Sequence, residues 1–316
     1  MRATLYMVIP CYNDAEVLPV SAPVFLQKLL TLIDRGTIRK NSRILFVNDG
    51  SSDTTWQTIE TLHHTDAHMI GIDLAYNTGE QNALLAGMFT AAAQADCVIT
   101  MDSDLQDDIN AVDEMLEKFY AGNEIVCGVR SSRKQDSFLE RFSSALFYKL
   151  MHALNTGLIP EHSNYRLMSQ NAIGILKKYI ETPFFLPCQV SALGLKNAVV
   201  YHERFARAAG SSGYNFKKRL MLAGDAILSH APATLNAMTC ISIICAVLTV
   251  INGIAWSAVS IKTAAFPFGL CLLTAFFLII ALLCLTLRLL GGYRYNKLSK
   301  AAQLPRYRIA AHTNDG

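Results

Sequence analysis

The chain has 316 residues, 52% of them hydrophobic and 17% charged, with a net charge of +3 at neutral pH. Soluble domains of average make-up carry about 25% charged residues, so the deficit points to apolar segments beyond an ordinary core, and so small a net charge argues against a nucleic-acid partner. The eight cysteines, Cys11, Cys97, Cys127, Cys188, Cys240, Cys245, Cys271 and Cys284, contain no C-x-x-C pair, which excludes the usual zinc and disulfide frameworks and suits a reducing compartment.

From the N-terminus, short apolar runs alternate with longer amphipathic ones. Strands are expected at Leu5–Ile9, Arg43–Asn48, Met69–Asp73, Cys97–Met101 and Ile125–Val129. Helices are expected at Glu16–Asp34, Thr54–His64, Gln81–Gln94, Ile109–Tyr120 and Phe138–Leu154. Met1 to Pro10 reads as a strand leading into turn residues, not as a cleavable leader. Alternating strands and helices imply an α/β fold with a mostly parallel, Rossmann-like sheet covered on both faces. Such sheets bind ligands beyond the carboxyl ends of their strands. Three polar clusters fall at that edge: Pro10-Cys11-Tyr12-Asn13-Asp14, Asn48-Asp49-Gly50-Ser51-Ser52-Asp53 and Asp102-Ser103-Asp104-Leu105-Gln106.

In the third cluster, residues two apart on a strand would face the same way. Asp102, Asp104 and Gln106 would then offer two carboxylates and an amide oxygen together, a donor set that suits Mg²⁺ or Mn²⁺. Asp107 and Asp108 follow directly. Further on, polar segments run from Glu161 to Met168 and from Arg204 to Tyr214. The His63, His64 and His68 group after a helix reads as surface.

Phe216 to Leu228 reads as an amphipathic helix suited to a membrane interface. Ala231 to Ile261 and Thr263 to Leu287 contain no charged residue, and each exceeds the roughly 20 apolar residues needed to cross a bilayer. They are expected to form a transmembrane hairpin; two buried core helices are the alternative. Lys217, Lys218 and Arg219 precede the hairpin, and Arg288, Arg294, Lys297, Lys300, Arg306 and Arg308 follow it, with only Lys262 between. The positive-inside rule then places both termini in the cytoplasm, in a multi-pass protein of the cytoplasmic membrane, with basic flanks able to meet anionic headgroups.

The ordered set Val8-Ile9-Pro10-Cys11-Tyr12-Asn13-Asp14, Phe46-Val47-Asn48-Asp49-Gly50-Ser51-Ser52-Asp53, Asn77-Thr78-Gly79-Glu80-Gln81-Asn82-Ala83-Leu84-Leu85-Ala86-Gly87 and Met101-Asp102-Ser103-Asp104-Leu105-Gln106-Asp107 resembles glycosyltransferase family 2. Within it, Gly128-Val129-Arg130-Ser131-Ser132-Arg133, Tyr165-Arg166-Leu167-Met168, Arg207-x-x-Gly210-x-Ser212-x-Tyr214 and the membrane hairpin resemble the polyprenyl-phosphate branch. That branch includes the bactoprenol glucosyltransferases and dolichol-phosphate mannose synthases.

The resemblance implies a GT-A fold, a nucleotide-sugar donor, a divalent metal and a lipid-phosphate acceptor. The implied layout is a GT-A domain over residues 1–215, a juxtamembrane helix over 216–230, a hairpin over 231–290 and a cytoplasmic basic tail over 291–316, with spans at about 233–259 and 266–288. By motif, Pro10, Tyr12, Asp14, Asp49 and Asp102 would meet the donor nucleotide. Asp102, Asp104 and Gln106 would hold the metal. Arg130, Arg133, Arg166, Arg207 and Ser212 would bind the acceptor and diphosphate, with Asp104, Arg130 and Arg133 carrying catalysis. Three departures stand out: Asp14 replaces the usual Glu, Asn164 replaces a frequent Asp, and Phe185-Leu186-Pro187 replaces Phe-Leu-Arg.

The acceptor class shapes the expected chemistry. A sugar hydroxyl needs a general base, whereas a lipid monophosphate is already anionic and needs positioning by guanidinium groups. A base, if one acts, is Asp104, Asp107 or Asp108. The expected reaction is inverting transfer of a hexose, most plausibly from UDP-glucose, to undecaprenyl phosphate at the cytoplasmic membrane face. This would serve cell-surface glycan synthesis. The other readings are a processive polysaccharide synthase and a non-catalytic membrane scaffold. Trp56 and Trp256 are the only tryptophans, and neither stands in the Gln-x-x-Arg-Trp context of the synthases. A dimer or a tetramer is compatible with the sequence.

Overall fold

A computed structural model describes residues 2–131, 149, 162–179, 186–205, 231–263, 267–301 and 305–313. The chain divides into two compact units. One comprises Met1–Glu181, Phe185–Arg219 and Leu304–Gly316, and the other Thr182–Phe184 and Leu220–Gln303.

The first unit is built on β1 (Leu5–Cys11), β2 (Arg43–Asn48), β3 (Met69–Leu74), β4 (Cys97–Thr100) and β5 (Ile125–Arg130). These lie where the sequence has its apolar runs. Joining them are α1 (Leu18–Asp34), α2 (Thr55–Thr65), α3 (Glu80–Ala91) and α4 (Ala111–Tyr120). After them come β6 (His162–Ser169), α5 (Gln170–Lys178), α6 (Leu186–Ala192), β7 (Asn197–His202) and β8 (Ile309–His312). Among the described residues the sheet has eight strands in the order β7-β5-β6-β4-β1-β2-β3-β8. β1 runs parallel to β2 and β4, β2 to β3, and β5 to β7.

Near-continuous burial of β1 and β4 is what a central parallel strand requires, since helices cover both faces. α1 buries Leu18, Ala22, Phe25, Leu29 and Leu32, an i, i+3/i+4 stripe that faces the sheet. α3 is apolar almost all round because it is nearly enclosed, with Ala83 through Met88 all buried. It lies close on the sheet at Gly87, where a Cβ would come within 2.3 Å of Val8 Cγ1 and 2.8 Å of Val47 Cγ2.

Three strands, β6, β7 and β8, depart from the sequence-based expectation. The polar stretch Glu161–Met168 contains β6, which pairs antiparallel with both β4 and β5 inside the sheet. Its alternation is masked because Arg166, only 1% exposed, occupies an interior position, while Tyr165 and Leu167 join the hydrophobic core. The basic tail is not simply a tail: it supplies β8, antiparallel to β3 at the sheet's edge. Thr313 and Gly71 extend this pairing, with Thr313 N donating to the Gly71 carbonyl at 3.0 Å and Gly71 N to the Thr313 hydroxyl at 3.0 Å.

The expected helices at Phe138–Leu154 and Phe216–Leu228 lie outside the described residues, apart from Lys149, which is helical.

The second unit holds α7 (Ala231–Thr263) and α8 (Phe268–Ala301). They pack antiparallel: the Ser242 hydroxyl donates to the Ala281 carbonyl at 3.1 Å, and Arg288 Nε to Thr239 Oγ1 at 2.5 Å. Leu235–Lys262 and Phe268–Tyr293 are long and apolar enough to cross a membrane, and 6% of the most apolar window of each is buried. Such exposure is not that of core helices in a water-soluble fold, whose apolar faces are covered.

Candidate active site

Three loops meet at the carboxyl ends of β1, β2 and β3, and side chains lace them together. Asn13, at φ 53°, accepts from Ser52 N at 2.9 Å through Oδ1, while its own N donates to the Ser51 hydroxyl at 3.0 Å. Left-handed backbone of this kind is tolerated by asparagine better than by most residues. Asp14 N donates to Thr55 Oγ1 at 2.8 Å. Gly50, at φ 59°, could carry no side chain: a Cβ there would lie 2.4 Å from Asn77 N.

Buried Asp49 reaches across to the third loop. Its Oδ1 accepts from the Thr78 amide at 2.7 Å and the Thr78 hydroxyl at 2.8 Å, and its Oδ2 from Gly79 N at 2.9 Å. Both Asp49 oxygens thus hold the entry to α3. Pro10 is the penultimate residue of β1, and Tyr12 stands 47% exposed just past the strand's end, a face free to stack on a planar ligand.

The acidic cluster forms differently from the strand expected. β4 ends at Thr100, so Asp102, Asp104 and Gln106 sit in a turn and do not share a strand face. Leu105 adopts φ 56°, a conformation costly for a bulky residue and typical of functional sites. Its side chain packs against the core. The turn lets Asp104 Oδ1 accept from Gln106 N at 3.1 Å. Ser103 reaches back to β1's loop, its hydroxyl donating to Asp14 Oδ2 at 2.8 Å.

Gln106 is engaged within the protein. Its Oε1 accepts from Arg204 at 2.5 Å and its Nε2 donates to the Phe205 carbonyl at 3.4 Å. To reach a metal its amide oxygen would have to leave or share Arg204.

Burial pushes the Asp102 carboxyl well above the usual carboxylate range. The negative charges of Glu80, Asp107 and Asp104 add to this, and Arg130 opposes it. Such an excess of acid around one carboxylate is what a bound cation relieves. Among the described residues no three His, Cys, Asp or Glu side chains form a ready metal cluster. One or two carboxylates are nonetheless the protein share of a Mg²⁺ site completed by substrate phosphates and water, so Asp102 and Asp104 fit that role.

A basic wall faces the acids. Arg130 ends β5 opposite His202 of β7. The backbones of Asp107 and Arg204 pair in an isolated antiparallel β-bridge just beyond β7. Burial, and after it the neighbouring Arg130 guanidinium, pulls the Arg204 pKa down, so two cations stand within repulsive range. Both oxygens of buried Asp107 and Nε2 of buried His202 have no hydrogen-bond partner among the described residues, nor do the Nε atoms of Arg130 and Arg204. Asp107 Oδ1 does lie 3.8 Å from His202 Nδ1, and Arg130, His202 and Arg204 oppose the rise that burial imposes on its carboxyl, so charges of both signs meet in this pocket.

Of the other expected site residues, Arg166 is sealed inside the sheet at 1% exposure, where burial lowers its pKa, and it does not line an open cleft. Arg133, Arg207 and Ser212 lie outside the described residues. Residues that sequence reasoning gave no role are Ser103, Glu80 and Arg204. Glu80 and Ser103 lie inside the quoted motifs, and Arg204 stands three residues before Arg207, so position was a signal where spacing alone was not.

Residues 6–187 match the family described as Glycosyl transferase family 2. The glycosyltransferase YkoT of Bacillus subtilis is 38% identical over 80% of this chain and 75% of its own length. The bactoprenol glucosyl transferase of Shigella phage SfV is 32% identical over 79% of each chain. Among solved structures, the mannosyltransferase PcManGT of Pyrobaculum calidifontis is 12% identical, with a TM-score of 0.49 over 96% of this chain and 81% of that one. On the extent of the family match and the identity to these relatives, the chain belongs to glycosyltransferase family 2 and is a glycosyltransferase.

Proposed function

We propose that this enzyme transfers a hexose from a nucleotide sugar, UDP-glucose first among candidates, to a polyprenyl phosphate at the cytoplasmic face of a membrane. The observation that carries the reading is the opposition of Asp102 and Asp104 to Arg130 and Arg204 at one end of the sheet. Acids there suit a cation and its diphosphate; paired guanidiniums suit a second, phosphate-bearing substrate. The relative named bactoprenol glucosyl transferase supports that acceptor class.

In this reading Pro10, Tyr12 and Asp14 hold the nucleoside, and Asp49 keeps the third loop in place against it. Asp102 and Asp104 would hold a divalent ion, which when bound neutralises charge on the departing diphosphate. Arg130 and Arg204, together with Arg133, Arg207 and Ser212, present the acceptor phosphate. That phosphate attacks the anomeric carbon as an anion already formed, so the protein contributes chiefly alignment and charge stabilisation. Displacement in one step inverts the anomeric centre.

Membrane placement follows from chain order. β1–β7 precede α7, β8 follows α8, and all share one sheet. A hairpin that crosses twice would leave that sheet on a single side, and the Lys/Arg bias supports a cytoplasmic side for it.

The test is incubation of the purified protein with undecaprenyl phosphate, Mn²⁺ or Mg²⁺ and a panel of nucleotide sugars, with the lipid product identified by mass. One glycosyl phospholipid and no long polymer is expected. No lipid product with any donor would overturn the reading.

A further inference from the structure

The head of α3 carries a carboxylate that the family motifs leave without a role. Asp49 pins Thr78 and Gly79 just before it. The Asn82 side chain donates to the Thr78 carbonyl at 2.8 Å, and Leu186 N donates to Gln81 Oε1 at 3.0 Å, tying the same turn to α6. Between these anchors Glu80, the first residue of the helix, is directed across to β6, where the Asn164 side-chain amide donates to its Oε1. Asn164 is held in turn through its carbonyl, which accepts from the Thr100 hydroxyl at the end of β4.

Glu80 is also the foremost charged neighbour of Asp102. Position 164, where the resemblance leads one to expect an acid, is therefore an amide whose partner across the cleft is the acid. Both residues are only partly buried, so the pair borders accessible space next to the proposed diphosphate site.

We propose that Glu80 and Asn164 form the sugar-reading floor of the donor site, selecting neutral hexoses with free hydroxyl groups and rejecting anionic sugars. The proposal rests on the transferase reading above and names its donor class. A fixed carboxylate offers acceptor lone pairs to hydroxyl donors, and the Asn164 Oδ1 adds another acceptor. A uronic acid in the same place would bring its carboxylate against Glu80, and like charge so close is a device of exclusion. Asn164 acts through Glu80 and is a positioning residue; Glu80 is the group that meets the sugar.

The experiment measures binding of UDP, UDP-glucose and UDP-glucuronic acid, each with Mn²⁺, to the full-length protein and to E80Q, E80D and N164D. E80Q is expected to weaken UDP-glucose about tenfold, as loss of a charged hydrogen bond does. It is expected to leave UDP unchanged and to narrow the preference for UDP-glucose over UDP-glucuronic acid by about tenfold or more. E80D should keep the preference, and N164D, which removes the amide that holds Glu80, should narrow it. Equal weakening of UDP and UDP-glucose in E80Q would show a merely structural tie and overturn the proposal. An unchanged preference in E80Q, with the unaltered protein binding donor normally, would overturn it alone. Failure of the unaltered protein to bind any of the three would overturn the UDP-sugar donor reading, and the proposal with it.

Discussion

The Ser103 hydroxyl donates to Asp14 Oδ2 across 2.8 Å, joining the acidic turn after β4 to the loop after β1. One bond thus couples the part of the site assigned to the diphosphate with the part assigned to the nucleoside. Ser103→Ala leaves a buried site with one donor fewer and lets Asp14 drift from its neighbours. A loss of about 1 kcal/mol is expected for such a bond, read as a donor KM raised about fivefold with kcat little changed. Steady-state kinetics with varied donor checks this.

Gly87 is where α3 touches β1 and β2 most closely. Gly87→Ala forces a methyl group against Val8 and Val47, both fully buried. Overpacking of this kind costs about 1–3 kcal/mol, more than the helix-propensity gain of roughly 1 kcal/mol from replacing glycine. Thermal unfolding in detergent should show a lower midpoint, with donor affinity falling as well because α3 carries Glu80 into the site and anchors the loop that holds Thr78.

Arg204 bridges Gln106 and the pocket shared with Arg130. Arg204→Ala should raise the acceptor KM by about tenfold or more while the donor KM moves little, since charged hydrogen bonds to phosphate are worth more than neutral ones. Arg204→Lys should recover little, because an ammonium lacks the planar fork. Initial rates with varied undecaprenyl phosphate separate these outcomes.

Burial pushes the thiols of Cys11, Cys97 and Cys127 above their ordinary value, with Asp14 adding to the shift at Cys11 and Asp96 at Cys97. Two consequences follow. Iodoacetamide at pH 8 should leave all three unlabelled in the folded protein, since both access and thiolate are lacking. Folding should also weaken on the alkaline side. A raised folded-state pKa costs nothing while both states stay protonated. Stability is lost as pH rises above the unfolded thiol's ordinary value, near 8.5, where only the unfolded chain releases its protons. Replacing Cys97 with Ala should flatten that alkaline slope in denaturant titrations between pH 8 and 10.

Without β8, the edge of β3 would stand open. Deleting residues 305–316 removes the bonds at Gly71 and the one from Ala75 N to the Arg308 carbonyl, 2.9 Å long. Exposed edge strands invite pairing between chains. The truncated protein should therefore elute partly as higher oligomers in size-exclusion chromatography, where the full chain gives one species, and should unfold at lower temperature.

Local pattern and global arrangement were unevenly legible. β1 to β5 and α1 to α4 could be read because each repeats one residue class at the period of its own backbone. β6 could not: Arg166 and Asn164 break its apolar pattern, and only neighbours on both sides make a polar segment a central strand. β8 was hidden for a related reason, since four residues at an edge gain their identity from β3, more than two hundred positions earlier. In the site, Asp102 and Asp104 were readable as an acidic pair, but not the left-handed Leu105 that aims them or the Arg204 bond that occupies Gln106.

The linear sequence by itself determined the α/β alternation, the two apolar spans, the basic flanks and the order of the polar motifs. All of these are written in neighbours along the chain, where periodicity and hydropathy act. Tertiary structure alone decided which charges meet: Glu80 with Asn164 and Asp102, Ser103 with Asp14, Arg204 with Gln106 and Arg130. Coulomb and hydrogen-bond energies depend on separations of a few ångströms, and the sheet order that sets those separations is a property of the folded whole.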